Sequence, residues 1–192
     1  AFCPHLGAHL AYGGKVEGND IRCPFHAWKF GADGNCNEVP YAKRIPPKTC
    51  VRTFPILETN GLIYLWHDSK RREPFFEVPK LEGWGDPEWT GWTKNILTIK
   101  THPKEIVENV ADKGHFPRVH GTHVDTFDNE FTGHLAIQRT SGIAYPRGGG
   151  KDKFSLEATY YGPGFQVTDM QGYLHSRLVN AHTPIDQHSL HL

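Results

Sequence analysis

Two short segments of this chain, Cys3-Pro4-His5-Leu6-Gly7 and Cys23-Pro24-Phe25-His26-Ala27-Trp28, each carry one cysteine and one histidine, with 17 residues between His5 and Cys23. Two soft thiolates and two imidazoles suit either one tetrahedral zinc ion or a [2Fe–2S] cluster with two cysteines on one iron and two histidines on the other. Zinc modules usually pair Cys with Cys and His with His along the chain, whereas each segment here is mixed. Two loops that each supply one ligand of each kind therefore point to the two-iron cluster.

The same loops bear on redox potential. A mixed Cys/His cluster is a Rieske centre, its cysteines on the inner iron and its histidines on the outer, exposed one. High-potential Rieske proteins resemble one another in carrying a further cysteine in each loop, joined as a disulfide, and a hydroxyl donor near the cluster. The matching positions here are Ala8, Phe25 and Trp28. Few donors to the cluster sulfurs favour the oxidised state, so the expected potential lies near the low end, about −150 mV.

A second constellation follows. Pro103 with Glu105 behind it reads as a helix start, and Pro117 is expected to end that helix near Phe116. Glu108, Asp112 and His115, at offsets of four and three, would then share one helix face, with His120 in the turn beyond. Two histidines and a carboxylate on one face can bind Fe(II) and leave positions open for O₂. Histidines near helix ends are also common as caps, so this spacing gains its meaning from the Cys/His loops upstream.

Composition narrows the partners. Lys+Arg and Asp+Glu both number 21, which gives no electrostatic reason to expect nucleic acid or an anionic membrane. No apolar run approaches the roughly 20 residues needed to span a bilayer. The chain begins at Ala1 and ends in Ser189-Leu190-His191-Leu192, an alternation that reads like a strand cut midway, so a fragment truncated at both ends is expected. Its 4 cysteines do not suggest a disulfide scaffold, and a reducing, cytoplasmic setting is expected. Cys36 and Cys50 are expected to be small buried or half-buried thiols.

Along the chain, residues 1–67 read as a compact antiparallel β module and 68–92 as a connector, charged first and then rich in Pro and Trp. Residues 93–192 read as part of a larger α+β domain: a strand over Ile96–Ile99, the helix, then strand-like alternation at Ser155–Tyr161 and Tyr173–Ala181. Gly148-Gly149-Gly150-Lys151 reads as a mobile hairpin tip.

Both motifs, in this order, resemble the oxygenase α subunit of Rieske non-haem iron oxygenases. The segments "CPFHAWKFGADGNCNEVPYAKRIP", "NGLIYLWHD", "ENVADKGHFPRVHG", "FTGHLA", "LEATYYGPGF" and "NAHTPID" are similar to the branch of 3-ketosteroid 9α-hydroxylase oxygenase components and cholesterol C7-desaturases. The resemblance implies an α+β chain: an antiparallel β Rieske [2Fe–2S] domain, then a helix-grip-type catalytic domain, an antiparallel sheet with helices. It implies Cys3, His5, Cys23 and His26 as cluster ligands and His115 and His120 as ligands of a mononuclear Fe(II). Asp112 would bridge an iron-ligand histidine to a Rieske histidine of a neighbouring subunit in a homotrimer. Asn109 would lie near the iron.

One departure stands out. The family's third iron ligand is a carboxylate on a later helix, but the residues after His120 look like strands and loops. Asp125, Asp128, Asp169 and Asp186 read more simply as turn or solvated residues, so the third ligand is expected beyond Leu192. The remaining histidines (His9, His67, His102, His123, His134, His175, His182, His188, His191) are expected to cap, pack or face solvent, His123 being near enough to the motif to check.

The implied activity is O₂- and NADH-dependent hydroxylation of a bulky hydrophobic substrate, a steroid by branch resemblance, with electrons from a separate flavin and iron–sulfur reductase. Sterol C7-desaturation and aromatic-ring dihydroxylation are the enzyme alternatives. A Rieske electron carrier would lack the second motif, and a zinc module would be colourless.

Overall fold

A computed structural model describes residues 1–192 except Arg147 and Tyr173. The chain divides into two compact units, Ala1–Phe75 and Phe76–Leu192. Among the described residues no helix is long and apolar enough to cross a membrane.

In the first unit, β1 (Lys15–Glu17), β2 (Asp20–Arg22), β3 (Lys29–Phe30) and β4 (Cys36–Glu38) form an antiparallel sheet in that order. A separate hairpin pairs β5 (Ile56–Thr59) with β6 (Leu62–Leu65). Its two-residue turn is Asn60-Gly61, both at positive φ (55° and 69°), the turn whose twist matches that of the flanking strands. The core is a single cluster of Cys3, Leu10, Cys23, Trp28, Phe30, Cys36 and Val39. Cys36 is buried as expected, but Cys50 is exposed: its backbone pairs with Asn35 in an isolated bridge that leaves the side chain outside the cluster.

The second unit opens with β7 (Thr98–Ile99), shorter than the strand expected over Ile96–Ile99. Ile96 and Leu97 are exposed, although Leu97 exchanges backbone hydrogen bonds of 2.8 and 2.9 Å with Leu192. The expected single helix is three pieces: α1 (Pro103–Val107), a 3₁₀ turn (Glu108–Ala111) and a π turn (Phe116–His120). α1 starts as expected, with Pro103 in its first turn and His102 accepting from the Lys104 N–H. The helical run ends at Asp112, which caps the 3₁₀ turn: the backbone turns extended (φ −89°, ψ 91°) and the carboxylate accepts from the Gly114 N–H at 2.8 Å. A short acidic side chain thus offers the backbone an alternative to the helix. Pro117, expected to end a helix, lies in the first turn of the π segment, where its missing N–H costs nothing.

The chain then builds a five-stranded antiparallel meander, β8 (Thr122–Thr132), β9 (Leu135–Ala144), β10 (Asp152–Tyr161), β11 (Phe165–Gln171) and β12 (Ser176–Ala181). Thr183–Pro184 (β13) and Leu190–His191 (β14) join β7 in a small sheet. The strand-like stretches over Ser155–Tyr161 and up to Ala181 are β10 and β12, while Tyr173 lies outside the described residues. The β8–β9 register slips between Val124 and Thr126, and Gly142 lies opposite the bulge. A Cβ there would fall 1.9 Å from the His123 carbonyl oxygen, so only glycine fits.

Register assigns the two faces of the meander. Phe127, Thr140, Leu156, Gln138, Ala158 and Tyr160 share one face. Phe127 packs edge-on against Phe116 of the π turn (6.0 Å), and the Tyr160 hydroxyl donates to the Ile106 carbonyl of α1 (3.1 Å). α1 and the π turn therefore lie on that face. Arg177 marks the other face, where its guanidinium reaches the Glu82 carbonyl and the Trp89 ring.

Candidate metal centres

The two Cys/His segments are near-copies in backbone. In the first, the Cys3 N–H donates to Ala8 O (2.8 Å) and the Gly7 N–H to Cys3 O (2.9 Å); in the second, the Cys23 N–H donates to Trp28 O (2.8 Å) and the Ala27 N–H to Cys23 O (3.1 Å). The fifth residue of each turn is left-handed: Gly7 at φ 74°, Ala27 at φ 58°. The matching turns place the two cysteines at the same position, with His5 third in its turn and His26 fourth.

Those side chains meet as two like pairs. The thiols of Cys3 and Cys23 are both 3% exposed, unbridged and in contact with each other. Burial pushes the Cys3 thiol up; the His5 backbone N–H, bonded to it, pulls it down; the neighbouring Cys23 thiol raises it further. Such a pair holds thiolates only when a cationic group draws them into that state. The imidazoles of His5 and His26 meet edge to face with ring centroids 4.6 Å apart. His5 Nδ1 is buried and has no hydrogen-bond partner among the described residues, an arrangement that suits a nitrogen facing a metal. Among the described residues, no three His, Cys, Asp or Glu side chains close on one point as a lone ion would require. A thiol pair beside an imidazole pair fits a two-iron cluster instead.

Aromatic side chains wall the imidazoles. The Trp28 indole stacks on His5 (4.5 Å, 8° between planes), Phe25 packs on His26 (4.0 Å), and Tyr41 meets His26 edge-on at 6.4 Å. Trp28 Nε1–H donates to the Tyr41 hydroxyl at 2.6 Å. Tyr41 was not anticipated from sequence; only its position in the aromatic- and Pro-rich stretch after the second loop hinted at it.

In the second unit, the π turn brings His115 and His120 together, ring centroids 5.1 Å apart. His115 Nδ1 lies 2.6 Å from the Asp112 carbonyl oxygen and 3.5 Å from Asp112 Oδ2. Partial desolvation, then the nearby His115, lowers the His120 pKa, favouring the neutral imidazole that binds metal. Asn109 is exposed, and its carbonyl accepts the Asp112 N–H (3.2 Å). Glu108 lies in the 3₁₀ turn and pairs with Lys104 at 3.8 Å, not with the two histidines. His123 is exposed beside Asp125 at 3.4 Å. Asp169 pairs with His175 and Arg177, and Asp186 accepts the His188 N–H (2.7 Å). None of Asp125, Asp169 or Asp186 joins His115 and His120.

Beneath the helical pieces runs a buried polar row that hydropathy hides. Gln138 donates to Thr140 (2.6 Å), Asn180 to Gln166 (2.8 Å) and Gln166 to Thr168 (3.2 Å). Only the strict alternation of β9, Gln138-Arg139-Thr140, could have placed them inward with Arg139 outward.

Known proteins resemble both halves. Residues 65–192 match the family model described as the 3-ketosteroid 9α-hydroxylase C-terminal domain, and residues 1–55 match the Rieske [2Fe–2S] domain. A probable 3-ketosteroid-9-alpha-monooxygenase, oxygenase component, of Rhodococcus rhodochrous is 38% identical over 209 residues, covering 100% of this chain and 52% of the relative. A cholesterol 7-desaturase of Xenopus laevis is 42% identical over 121 residues, 62% of this chain and 27% of the relative. Among solved structures, dicamba monooxygenase bound to dicamba superposes with a TM-score of 0.77 at 20% identity, covering 99% of this chain and 63% of that one, a likeness of fold. The NdmA QL mutant of Pseudomonas putida CBB5 with caffeine superposes with a TM-score of 0.73 at 26% identity, covering 99% of this chain and 57% of that one. The chain thus spans about half the length of the curated relatives it matches, 52% of the first.

Proposed function

This chain belongs to the 3-ketosteroid 9α-hydroxylase C-terminal domain family, with a Rieske [2Fe–2S] domain ahead of it, and from that premise we propose that it carries both redox sites of a monooxygenase's oxygenase component. Its substrate is a bulky apolar molecule, a steroid. The observation that carries the proposal is the pairing of side chains: thiol with thiol and imidazole with imidazole in the first unit, and His115 against His120 in the second.

Cys3 and Cys23 would hold the inner iron of the cluster, His5 and His26 the outer. His115 and His120 would hold the mononuclear Fe(II), with a third, carboxylate ligand beyond Leu192. When bound, the two centres supply one-electron transfer and O₂ activation. The protein's own part is positional. Asp112 fixes the tautomer and plane of His115 and offers a carboxylate to a histidine of a neighbouring copy in a homotrimer. Asn109 lies close by. A flavin and iron–sulfur reductase using NADH delivers the electrons. The free cysteines support a cytoplasmic setting.

The 42% identity to a cholesterol 7-desaturase over 121 residues favours sterol desaturation as a second reading. The full-length protein, supplied with reductase, NADH and O₂, is to be assayed on androstenedione-type steroids and on small aromatics. Steroid products heavier by one oxygen support hydroxylation; loss of two hydrogens supports desaturation; turnover of aromatics alone overturns the steroid assignment. His115→Ala and His120→Ala should each lose the second iron while the brown cluster absorbance stays. Cys3→Ser or Cys23→Ser should abolish that absorbance. A wild-type protein that is colourless and redox-silent refutes the whole assignment.

A further inference from the structure

We propose that Trp28 and Tyr41 act as a positioning pair that fixes the plane of His5, keeps water from it, and so sets the reduction potential of the cluster. This rests on the proposal above that His5 holds one iron.

His5 is gripped on two sides. The indole of Trp28 lies parallel to its ring, 8° off and 4.5 Å away, and His26 meets it at 71° and 4.6 Å. Rotation of the imidazole would have to push the indole aside. His5 Nδ1 finds no hydrogen-bond partner among the described residues, so no protein hydrogen bond at that nitrogen orients the ring. Packing does it.

Trp28 is itself held. It is 7% exposed in the cluster that includes Cys3 and Cys23, and its one polar atom reaches the Tyr41 hydroxyl at 2.6 Å. A buried indole N–H needs such an acceptor. Tyr41 is 63% exposed, so an outer residue anchors an inner one. Tyr41 lies inside a turn closed by the Ala42 N–H on Val39 O (3.0 Å), which links it to the core residue Val39.

The sign follows from charge. Reduction adds one negative charge, and a dry aromatic wall solvates that charge less well than water does. Loosening the indole therefore admits water and raises the potential.

The test uses full-length protein, spectroelectrochemical titration, and pulsed EPR of the reduced state. Tyr41→Phe keeps the ring and removes the acceptor; Trp28→Phe keeps an apolar face and removes the donor. Each is expected to raise the potential, and the double variant to shift it no further than the larger single change, because both act through one ring. Of the two imidazole nitrogen couplings, only one should change. Wild-type potential in Tyr41→Phe, additive shifts, or equal change in both couplings would overturn the pair's role. Tyr41 is exposed, so should Trp28→Phe fail to fold, the Tyr41→Phe titration decides alone. A wild-type protein without a reduced-state EPR signal refutes the cluster itself, an outcome distinct from an intact cluster whose potential ignores these residues.

Discussion

The carbonyl oxygen of Asp112 lies 2.6 Å from Nδ1 of His115. A carbonyl only accepts, so Nδ1 carries the proton and the free lone pair is left on Nε2. The residue that supplies this carbonyl also supplies a 55% exposed carboxylate, Oδ1 of which accepts the Gly114 N–H at 2.8 Å. Asp112 thus has a backbone job and a side-chain job that mutation can separate.

Asp112→Asn keeps the carbonyl and an Oδ1 acceptor for Gly114 but removes the charge. The expected outcome is retention of both irons and of the cluster's absorbance, with turnover reduced roughly 10–100-fold or more. Metal analysis alongside steady-state oxidation of NADH coupled to product checks this. Near-normal turnover would refute the bridging role.

The paired loops carry a second prediction. Gly7 and Ala27 occupy the same left-handed position, where an L side chain costs about 1–2 kcal/mol and glycine nothing. Ala27→Gly should therefore stabilise the first unit, by roughly 0.5–1 kcal/mol after glycine's greater unfolded-state entropy is offset. Gly7→Ala, whose Cβ would meet open space, should cost the same net amount in reverse, roughly 0.5–1 kcal/mol. Thermal midpoints of the two variants should move in opposite directions; movement in the same direction would mean that contacts, not φ, govern these turns.

These elements differ in how far their residues announce them. Cys3, His5, Cys23 and His26 are legible because turn and ligand are encoded together, and Asn60-Gly61 marks its hairpin because few other residue pairs adopt two positive φ angles in succession. The helix over Pro103–Phe116 was read too long because spacing alone does not reveal that Asp112 and Gly114 close a local turn. His115 and His120 meet through a π turn, for which five-residue spacing gives only a weak cue. β7 shrinks to Thr98–Ile99 because its partner is the distant β14, a pairing that local alternation cannot announce. The buried Gln138 and Thr140 were invisible to hydropathy, since their burial follows from each other's hydrogen bond.

Arg177 tests the second face of the meander. Its guanidinium pairs with Asp169 at 2.9 Å, lies over Trp89 at 4.7 Å and donates to the Glu82 carbonyl, tying residues 82–89 to β11 and β12. Burial raises the Asp169 carboxyl, but hydrogen bonds from His175, Arg177 and Gln171 outweigh it and hold the pKa below the ordinary carboxylate value. Lysine cannot make a stacked, forked contact of this kind. Arg177→Lys is expected to cost about 1–3 kcal/mol and to open the 82–89 segment to limited proteolysis. An unchanged cleavage pattern would show that other contacts hold that segment.

His182 gives the chain a calculable response to acid. The ring is 4% exposed, its Nδ1 lies 3.0 Å from the Pro163 carbonyl oxygen, and Nε2 is buried without a hydrogen-bond partner among the described residues. Burial lowers its pKa from the ordinary 6.5, against a smaller upward pull from the Pro163 carbonyl. The folded chain therefore keeps His182 neutral where the unfolded chain takes up a proton. Its contribution to stability is complete above about pH 6.5 and is lost as pH falls from there through the lower, folded-state value, at up to about 1.4 kcal/mol per pH unit. Replacing it with glutamine removes the titration while leaving a polar side chain of similar length. Urea midpoints measured from pH 8 down to pH 5 should fall more steeply for wild type than for His182→Gln, so that any advantage of histidine at neutral pH shrinks with acidity. Parallel curves across that range would mean that His182 is protonated, or equally exposed, in both states.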